Sequence, residues 1–182
     1  MVTISLNSVI GQRKLEKLKA GFQPDRITSA IGGRLMSYVG ESFDTRGRGQ
    51  WAALSQLTLL LRQRGGDVPL QDTGANYKPS FVQETDGETY VEVGTNIKTD
   101  TGISLGKIHE FGAGPYTVRV RRAKVLAAKT RAGQWLHFGK EVEITIPARP
   151  VLPTKEVGEH LVREAVDAML QKLADGVNRG GD

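Results

Sequence analysis

The residues best suited to chemistry are an adjacent pair, His109 and Glu110. A His-Glu pair opens the helical zinc-peptidase motif, in which a second His follows four positions after the first. Position 113 is Ala, and His137 and His160 lie in unrelated contexts, while the chain contains no Cys. Because a zinc site needs several converging ligands, we predict no metal site, no cofactor and no catalytic residue.

The residues after this pair favour a structural role for it. Gly112, Gly114 and Pro115 follow closely, and Gly and Pro end regular structure. We therefore predict that His109 and Glu110 lie at the end of a strand or in a turn. A hydrolase interpretation lacks a nucleophile and a further catalytic partner.

A second segment, residues 43–51, combines glycines with arginines and could suggest a phosphate-binding loop. Such a loop follows a buried strand and carries a Lys-Ser or Lys-Thr pair that opens the next helix. Here a helical pattern precedes the segment and Trp51 ends it. Burial of Phe43 and Trp51 as aromatic anchors is the better explanation.

Positive charge is concentrated in one part of the chain. No acidic residue lies between Glu110 and Glu141, and the seven basic residues of this interval leave the rest of the chain at a net charge of −2, against +5 overall. The interval is either a solvated hairpin whose charges discourage aggregation or a surface that meets DNA or an acidic protein. The candidate surface residues are Arg119, Arg121, Arg122, Lys124, Lys129, Arg131 and Lys140.

Length and composition predict one soluble domain. A chain of 182 residues can bury a sizeable core. No window approaches the roughly 20 apolar residues of a membrane span, and the amino terminus does not have the pattern of a signal peptide. The lack of Cys is compatible with a reducing compartment, so we expect a protein made in a cytoplasm that does not act at a membrane.

The first half of the chain is predicted to be mainly helical. A short strand at residues 2–6 precedes a short helix that ends at Gly21. A second helix begins near Pro24 and carries apolar residues at three- and four-residue spacing. A third helix begins at Ala52 and ends near Gly65, and a turn at residues 70–74 follows.

The second half is predicted to contain two hairpins and a final helix. Residues 81–94 form a hairpin about Asp86-Gly87, and residues 115–145 form a long protruding basic hairpin. The irregular segment 147–153 leads to a helix capped by Thr154, whose tail at residues 178–182 frays. The fold class is α+β, with an antiparallel sheet packed against the N-terminal helices and the C-terminal helix. The wide apolar face of the last helix indicates a subunit interface at Leu161, Val162, Met169 and Leu173.

Five short motifs occur in order between residues 43 and 153. They are Phe43-x-Thr45-x-Gly47 with Trp51-x-x-Leu54; Leu70-x-Asp72-Thr73-Gly74 with Ser80; Val91-x-Val93-Gly94-Thr95-Asn96; Ile108-His109-Glu110-Phe111-Gly112; and Ile146-Pro147-Ala148-Arg149-Pro150-x-Leu152-Pro153. Together they resemble the phage virion morphogenesis family, the tail-completion and head-tail joining proteins of long-tailed phages. Val151 stands where that family usually has Phe, and the basic hairpin is long.

The resemblance implies a structural virion protein without enzymatic activity, located in the neck or at the upper end of the tail. It would form a ring, with six copies suggested by neck proteins, and contact other neck proteins, the tail terminator or tail tube, and packaged DNA. Within the chain we hypothesise that Glu110 pairs with Arg149. The alternative is a nucleic-acid-binding protein that is not part of a virion, which the basic residues near Trp135 and Phe138 favour.

Overall fold

The computed structural model describes residues 16, 19–62, 66–70 and 77–179. The α+β class is confirmed: helices and antiparallel strands are both present. The elements are helices α1 (Pro24–Asp44), α2 (Gln56–Leu61), α3 (Leu105–Phe111) and α4 (Lys155–Arg179), strands β1 (Val82–Thr85), β2 (Val91–Gly94), β3 (Ala113–Arg119), β4 (Ala127–Lys129), β5 (Trp135–His137) and β6 (Glu141–Ile146), and a 3-10 turn (Lys78–Ser80).

These elements divide into two compact units. One contains the described helical residues up to Ser37, the segment Gln83–Val93 and the chain from Thr154 onward. The other contains the described residues from Tyr38 to Val82 together with Gly94–Pro153. The expected single domain of 182 residues stays a prediction.

Helix α1 begins where its sequence predicts, at Pro24, because a fixed φ suits the first helical turn. In the first unit it packs closely against strand β1. A Cβ on Gly32 would lie 2.1 Å from the end of the Gln83 side chain, so a larger residue here would require that flexible side chain to move. Thr28 adds a hydrogen bond of 3.4 Å from its hydroxyl to the carbonyl of Gly87.

The β1–β2 hairpin is confirmed, with a longer connection than a two-residue turn. The Asp86 carboxylate accepts hydrogen bonds from the backbone N–H groups of Glu88, Thr89 and Tyr90, and it also accepts one from the Thr89 hydroxyl. These bonds hold the pKa of Asp86 well below its ordinary value, and the bond from the Thr89 side chain has the largest effect. The carboxylate therefore stays charged and organises the loop.

Helix α4 is capped by Thr154, as predicted: its hydroxyl accepts from the N–H of Val157 at 3.4 Å. The helix continues to Arg179, so residues 178 and 179 of the expected frayed tail are helical. The Arg34 guanidinium lies 3.0 Å from the Glu164 carboxylate and links α1 to α4 within the first unit.

Two residues on the apolar face of α4, Leu161 and Ala165, are buried within the chain. Leu161 is buried, with 5% of its surface exposed, so its predicted role at a subunit interface is wrong: the chain itself covers it. The exposed apolar side chains of this helix are instead Val157 and Leu170. An interface through Val162, Met169 and Leu173, which are partly exposed, stays a prediction.

In the second unit, helix α2 begins later than predicted, at Gln56 rather than Ala52. The Ser55 hydroxyl caps it by accepting from the N–H of Thr58. The carbonyl of Ala52 accepts from Arg149 instead of joining a helix. This tertiary contact overrides the local helical pattern.

The long basic hairpin, here called the ribbon, extends from Ala113 to Ile146. Strand β3 pairs with β6 at its base, and β4 pairs with β5 toward its tip. The β1–β2 hairpin forms a third ladder, so the strands make three two-stranded ladders rather than the one sheet predicted. Bends at residues 121–125 separate the two ladders of the ribbon.

The tip of the ribbon is ordered against its own unit. A turn closes at Thr130, whose N–H donates to the carbonyl of Gln134 at 2.8 Å. The next residue, Arg131, donates its backbone N–H to the carbonyl of Leu60 in α2 at 3.3 Å. The tip of the ribbon is thus hydrogen-bonded to helix α2 of the same unit.

Several predictions fall on other parts of the chain. The strand at residues 2–6, most of the first short helix, and residues 71–74 with Gly74 lie outside the described residues, as do residues 180–182. No helix within the described ranges has the length and apolar character needed to cross a membrane.

Candidate functional site: a buried clamp at the base of the ribbon

An aromatic cluster centred on Phe43 forms the core of the second unit. The Phe43 side chain has no exposed surface. Its ring meets Trp51, Tyr77 and Phe81 edge-on, at centroid separations of 5.7, 5.8 and 5.9 Å. Edge-to-face packing is a favourable arrangement of aromatic rings, and the predicted anchoring roles of Phe43 and Trp51 are consistent with it.

The His-Glu pair lies in the last turn of helix α3, not in a strand or turn as predicted. Ser104 caps this helix by accepting from the N–H of Lys107. Gly112 ends the helix, with φ at 75° and ψ at 177°. The chain therefore breaks at this glycine as expected, but the residues before it are helical. Neighbouring helical residues point in different directions, which gives His109 and Glu110 separate partners.

Glu110 joins the start of the ribbon to its end. One carboxylate oxygen accepts from the N–H groups of Val151 at 2.9 Å and Leu152 at 3.4 Å. In the same direction, from the irregular segment to helix α3, the N–H of Arg149 donates to the carbonyl of His109 at 2.6 Å. We call these contacts the clamp, because they tie helix α3 to the irregular segment that follows the ribbon.

The hypothesised ion pair between Glu110 and Arg149 is wrong. The Arg149 guanidinium donates instead to the carbonyl of Ala52, at 3.3 Å from Nε and 3.2 Å from Nη2. Both side chains form hydrogen bonds with backbone groups of irregular segments, because these groups have no partner in a helix or sheet. The two ends of the ribbon are still joined, but through backbone hydrogen bonds.

The irregular segment is further held by α1 and the loop after it. The Trp51 indole N–H donates to the carbonyl of Pro150 at 2.8 Å. The Ser42 hydroxyl lies 3.1 Å from the carbonyl of Val151 and donates to it. Val151 is fully buried, so the smaller side chain at this position still fills a core site.

A hydrogen bond also joins two of the sequence motifs. The hydroxyls of Ser80 and Thr95 lie 2.6 Å apart. Gly94, the neighbour of Thr95, ends strand β2. Residues from all five motifs therefore take part in the packing and hydrogen bonding of this unit.

Two ionisable groups of the site, Tyr77 and His109, are shifted toward their neutral forms. Burial, aided by the charge of Glu110, raises the pKa of Tyr77 to about 12. Burial first, and the Arg149 charge second, hold the pKa of His109 below its ordinary value of 6.5. The His109 ring lies 5.1 Å from that of Tyr77, and its Nδ1 is buried without a hydrogen-bond partner among the described residues.

We expect the stability of the protein to depend on the protonation of His109. Because folding lowers its pKa, the stability contributed by the neutral ring is complete above pH 6.5 and is lost as the pH falls through the lowered pKa. The free energy of unfolding of the His109→Phe variant should therefore decrease less than that of the parent when the pH falls from about 7 to about 5. Urea unfolding at each pH measures this difference, and parallel profiles for the two proteins would contradict it.

A second variant separates the two causes of the shift. Arg149→Met removes the positive charge that disfavours a second cation nearby. The pKa of His109 should then rise toward 6.5, as followed by NMR titration of the histidine rings. Assignment uses the signal that disappears in His109→Phe. An unchanged titration would leave burial as the whole cause.

Sequence reasoning missed several members of the site. Tyr77, Phe81 and Ser42 are buried or hydrogen-bonded here, yet none was singled out. Ser42 lies one position before Phe43 on the buried face of α1, so its helical spacing could have identified it. No comparable local signal marks Tyr77 and Phe81.

The predicted surface residues lie on the exposed part of the ribbon. Arg119 pairs with Glu141 at 3.0 Å across the base ladder. Five of the remaining basic residues form no ion pair with any described residue, namely Arg121, Arg122, Lys124, Lys129 and Lys140. Trp135, directly opposite Lys129, is 61% exposed. The part of the ribbon beyond its base ladder thus combines positive charge with an accessible aromatic ring.

Three of the predicted motif residues, Phe111, Pro147 and Pro150, are exposed and are not part of the core. Phe111 is 79% exposed at the end of α3, and Pro147 is exposed in the irregular segment. Phe111 lies beside the clamp and has an unusually large accessible apolar surface. Its exposure makes it a candidate contact residue rather than a structural anchor.

The arrangement is suited to holding a projecting element in place. Within the described residues, no group of three or more His, Cys, Asp or Glu side chains could hold a metal ion. Glu110 and Arg149 bind backbone groups, and His109 packs against an aromatic ring. In comparisons with known proteins, no family model matches this chain, and neither a curated protein nor a solved structure does.

Proposed function

We propose that this chain is a structural virion protein of a long-tailed phage, located in the neck or at the upper end of the tail. It completes the tail and joins it to the DNA-filled head as one subunit of a ring. One observation carries the proposal: Trp51, Ser80, Thr95, Glu110 and Arg149, one residue from each of the five motifs, all lie in the unit that clamps both ends of the ribbon. The same motifs carry the resemblance to the phage family.

The chemistry of the clamp supports an assembly role. Glu110 and Arg149, two charged residues of the motifs, are used to hold the backbone at the base of the ribbon. A fixed base holds a projecting hairpin in a defined direction, so that less conformational entropy is lost when the hairpin binds a partner. The proposal assigns the chain no catalytic activity and no cofactor.

The proposed partners are further copies of the chain, six by the family resemblance, and the neighbouring neck proteins with the tail terminator or tail tube. A closed ring requires two different surfaces on each subunit, because each copy contacts its neighbours head to tail. The ring would assemble in the bacterial host cytoplasm and remain in the virion, where packaged DNA is a further possible contact.

A second candidate is a nucleic-acid-binding protein that is not a virion component. The observation that favours it is the exposed Trp135 opposite Lys129 on the ribbon. An aromatic ring can stack on a base, and lysine can bind a phosphate. Such binding would weaken steeply as the salt concentration rises.

Electron microscopy of particles produced without this gene tests the proposal. We expect filled heads beside unattached tails, because the joining ring is missing, and full virions when the intact gene is supplied in trans. Tails of irregular length would move the role toward termination of the tail tube. Normal infectious virions in the deletion would contradict the proposal.

A matched pair of complementing variants sharpens the test. Phe43→Ala should fail to restore joined particles, because it removes the centre of the core around the clamp. Leu60→Ala removes an apolar side chain that is 54% exposed and should restore them. Equal complementation by the two variants would show that an intact clamp is not needed for joining.

A further inference from the structure

The chain carries a second hairpin whose charge is opposite to that of the ribbon. Residues 79–97, which contain strands β1 and β2, include four acidic residues and no Lys or Arg. Residues 120–140, the distal ribbon, include six basic residues and no Asp or Glu. Residues 83–93 of the acidic hairpin belong to the first compact unit, whereas its two ends and the distal ribbon belong to the second.

The acidic hairpin has an exposed outer face. Gln83 approaches Gly32 of helix α1, and alternate residues of a strand point to opposite faces. Glu84 therefore points away from α1, and it is exposed, as are Glu88 and Glu92. No ion pair within the described residues involves these three carboxylates.

Both hairpins also expose large apolar side chains beside their charges. On the acidic hairpin, Val82 is 45% exposed and Tyr90 is 50% exposed. On the distal ribbon, Trp135 is 61% exposed. Aromatic residues and arginine are enriched among the residues that contribute most to protein–protein binding, so each face combines an apolar anchor with charge of one sign.

We propose that the distal ribbon of one copy docks on the acidic β1–β2 hairpin of the next copy. The contact is head to tail, because its two surfaces differ, and repetition of such a contact closes into a ring when the rotation allows it. The inference rests on the proposed ring function and names the two surfaces that form it.

A second copy explains more of the exposed charge than DNA does. Binding to DNA would pair the basic residues of the ribbon, but it would leave Glu84, Glu88 and Glu92 without partners. Docking between copies pairs both sets of charges in one contact and covers the apolar side chains on each side.

Charge exchange in the purified full-length chain tests the contact. Arg122→Glu with Lys129→Glu reverses charge on the ribbon, and Glu84→Lys with Glu92→Lys reverses it on the acidic hairpin. Each double variant should weaken self-association, measured by sedimentation velocity over a range of concentrations, by about tenfold or more, since like charges then face each other. The variant with all four changes should recover most of the loss.

The salt dependence provides an independent measurement. Self-association of the parent should weaken between about 50 mM and about 500 mM salt, because exposed charges are screened more strongly at the higher concentration. Thermal unfolding of every variant serves as the control for folding, since all four positions are exposed. The proposal is overturned if the parent stays monomeric at low salt. It is also overturned if the quadruple variant self-associates no more strongly than the double variants.

Cross-linking identifies the surfaces directly, because the chain has no cysteine of its own. A mixture of Ala127→Cys, on the ribbon, and Glu88→Cys, on the acidic hairpin, should form a cross-linked dimer with a short bismaleimide. Ala127→Cys mixed with Asp175→Cys, on helix α4, is the matched control and should cross-link far less. Equal yields in the two mixtures would rule out a specific contact between the hairpins.

The outcomes also separate this inference from the proposed function. If the gene deletion leaves heads and tails unjoined but the charge variants associate as the parent does, the contact is wrong and the joining role stands. If virions form without the gene while the quadruple variant recovers self-association, the contact stands and the joining role is wrong. Loss of labelled duplex DNA binding in the ribbon variant, without any self-association of the parent, would assign the ribbon to DNA.

Discussion

Phe43→Ala is expected to destabilise the protein by about 3–5 kcal/mol, the usual cost of truncating a buried Phe. The Phe43 side chain is fully buried and contacts three other aromatic rings. The surrounding rings are held by hydrogen bonds as well as by packing, as Trp51 is by its bond to Pro150. They cannot easily collapse into the space, so a cavity remains.

Urea unfolding followed by tryptophan fluorescence measures this change, since Trp51 is buried and reports directly on the cluster. Phe111→Ala is the matched control, because the same side chain is removed from a position that is 79% exposed. It should change the free energy of unfolding by no more than about 0.5 kcal/mol, as surface substitutions usually do. A similar loss in both variants would mean that the aromatic cluster is not the core of this unit.

Gly112→Ala is expected to cost about 2–4 kcal/mol, from two causes that add. Gly112 has φ at 75° and ψ at 177°, a region of backbone conformation that is essentially restricted to glycine. A Cβ at this position would also lie 2.8 Å from the carbonyl oxygen of Ile146 and 3.0 Å from the nitrogen of Ala148. These are backbone atoms, so relief of the contact requires the two ends of the ribbon to separate.

The matched control is Gly133→Ala at the tip of the ribbon. Gly133 also has a positive φ, 84°, but the nearest atom to an added Cβ is the Lys129 Cε at 3.8 Å. Only the conformational cost of about 1–2 kcal/mol should appear there. Hydrogen exchange distinguishes the variants further: the amide of Val151, which Glu110 holds, should exchange faster in Gly112→Ala alone. Unchanged protection in that variant would argue against the clamp.

Elements with strong local signals were predicted well. Helix α1 begins at Pro24 and helix α4 follows its Thr154 cap, because a cap or a proline acts within one turn of the chain. The paired strands of the ribbon follow from alternation of apolar and polar residues, as between Val142 and Ile146 in β6. Such patterns depend on neighbours that are close in sequence.

Elements without such signals were not predicted. Helix α3 has only seven residues, too few to establish a helical period, and the glycine after it suggested a turn. Helix α2 starts four residues later than its apolar pattern indicates, since Arg149 binds the carbonyl of Ala52. In both places contacts distant in sequence outweigh local preference.

By itself the sequence determined the α+β class, the starts of helices α1 and α4, the two hairpins, and the concentration of positive charge in one of them. These properties depend on residue types and on short-range periodicity. Only the tertiary structure decided which side chains form the clamp. Glu110 finds its backbone partner Val151 at a separation of 41 residues, and Arg149 finds Ala52 at a separation of 97. Many backbone groups of irregular segments could satisfy such side chains, so the choice depends on which segments the folded core brings together.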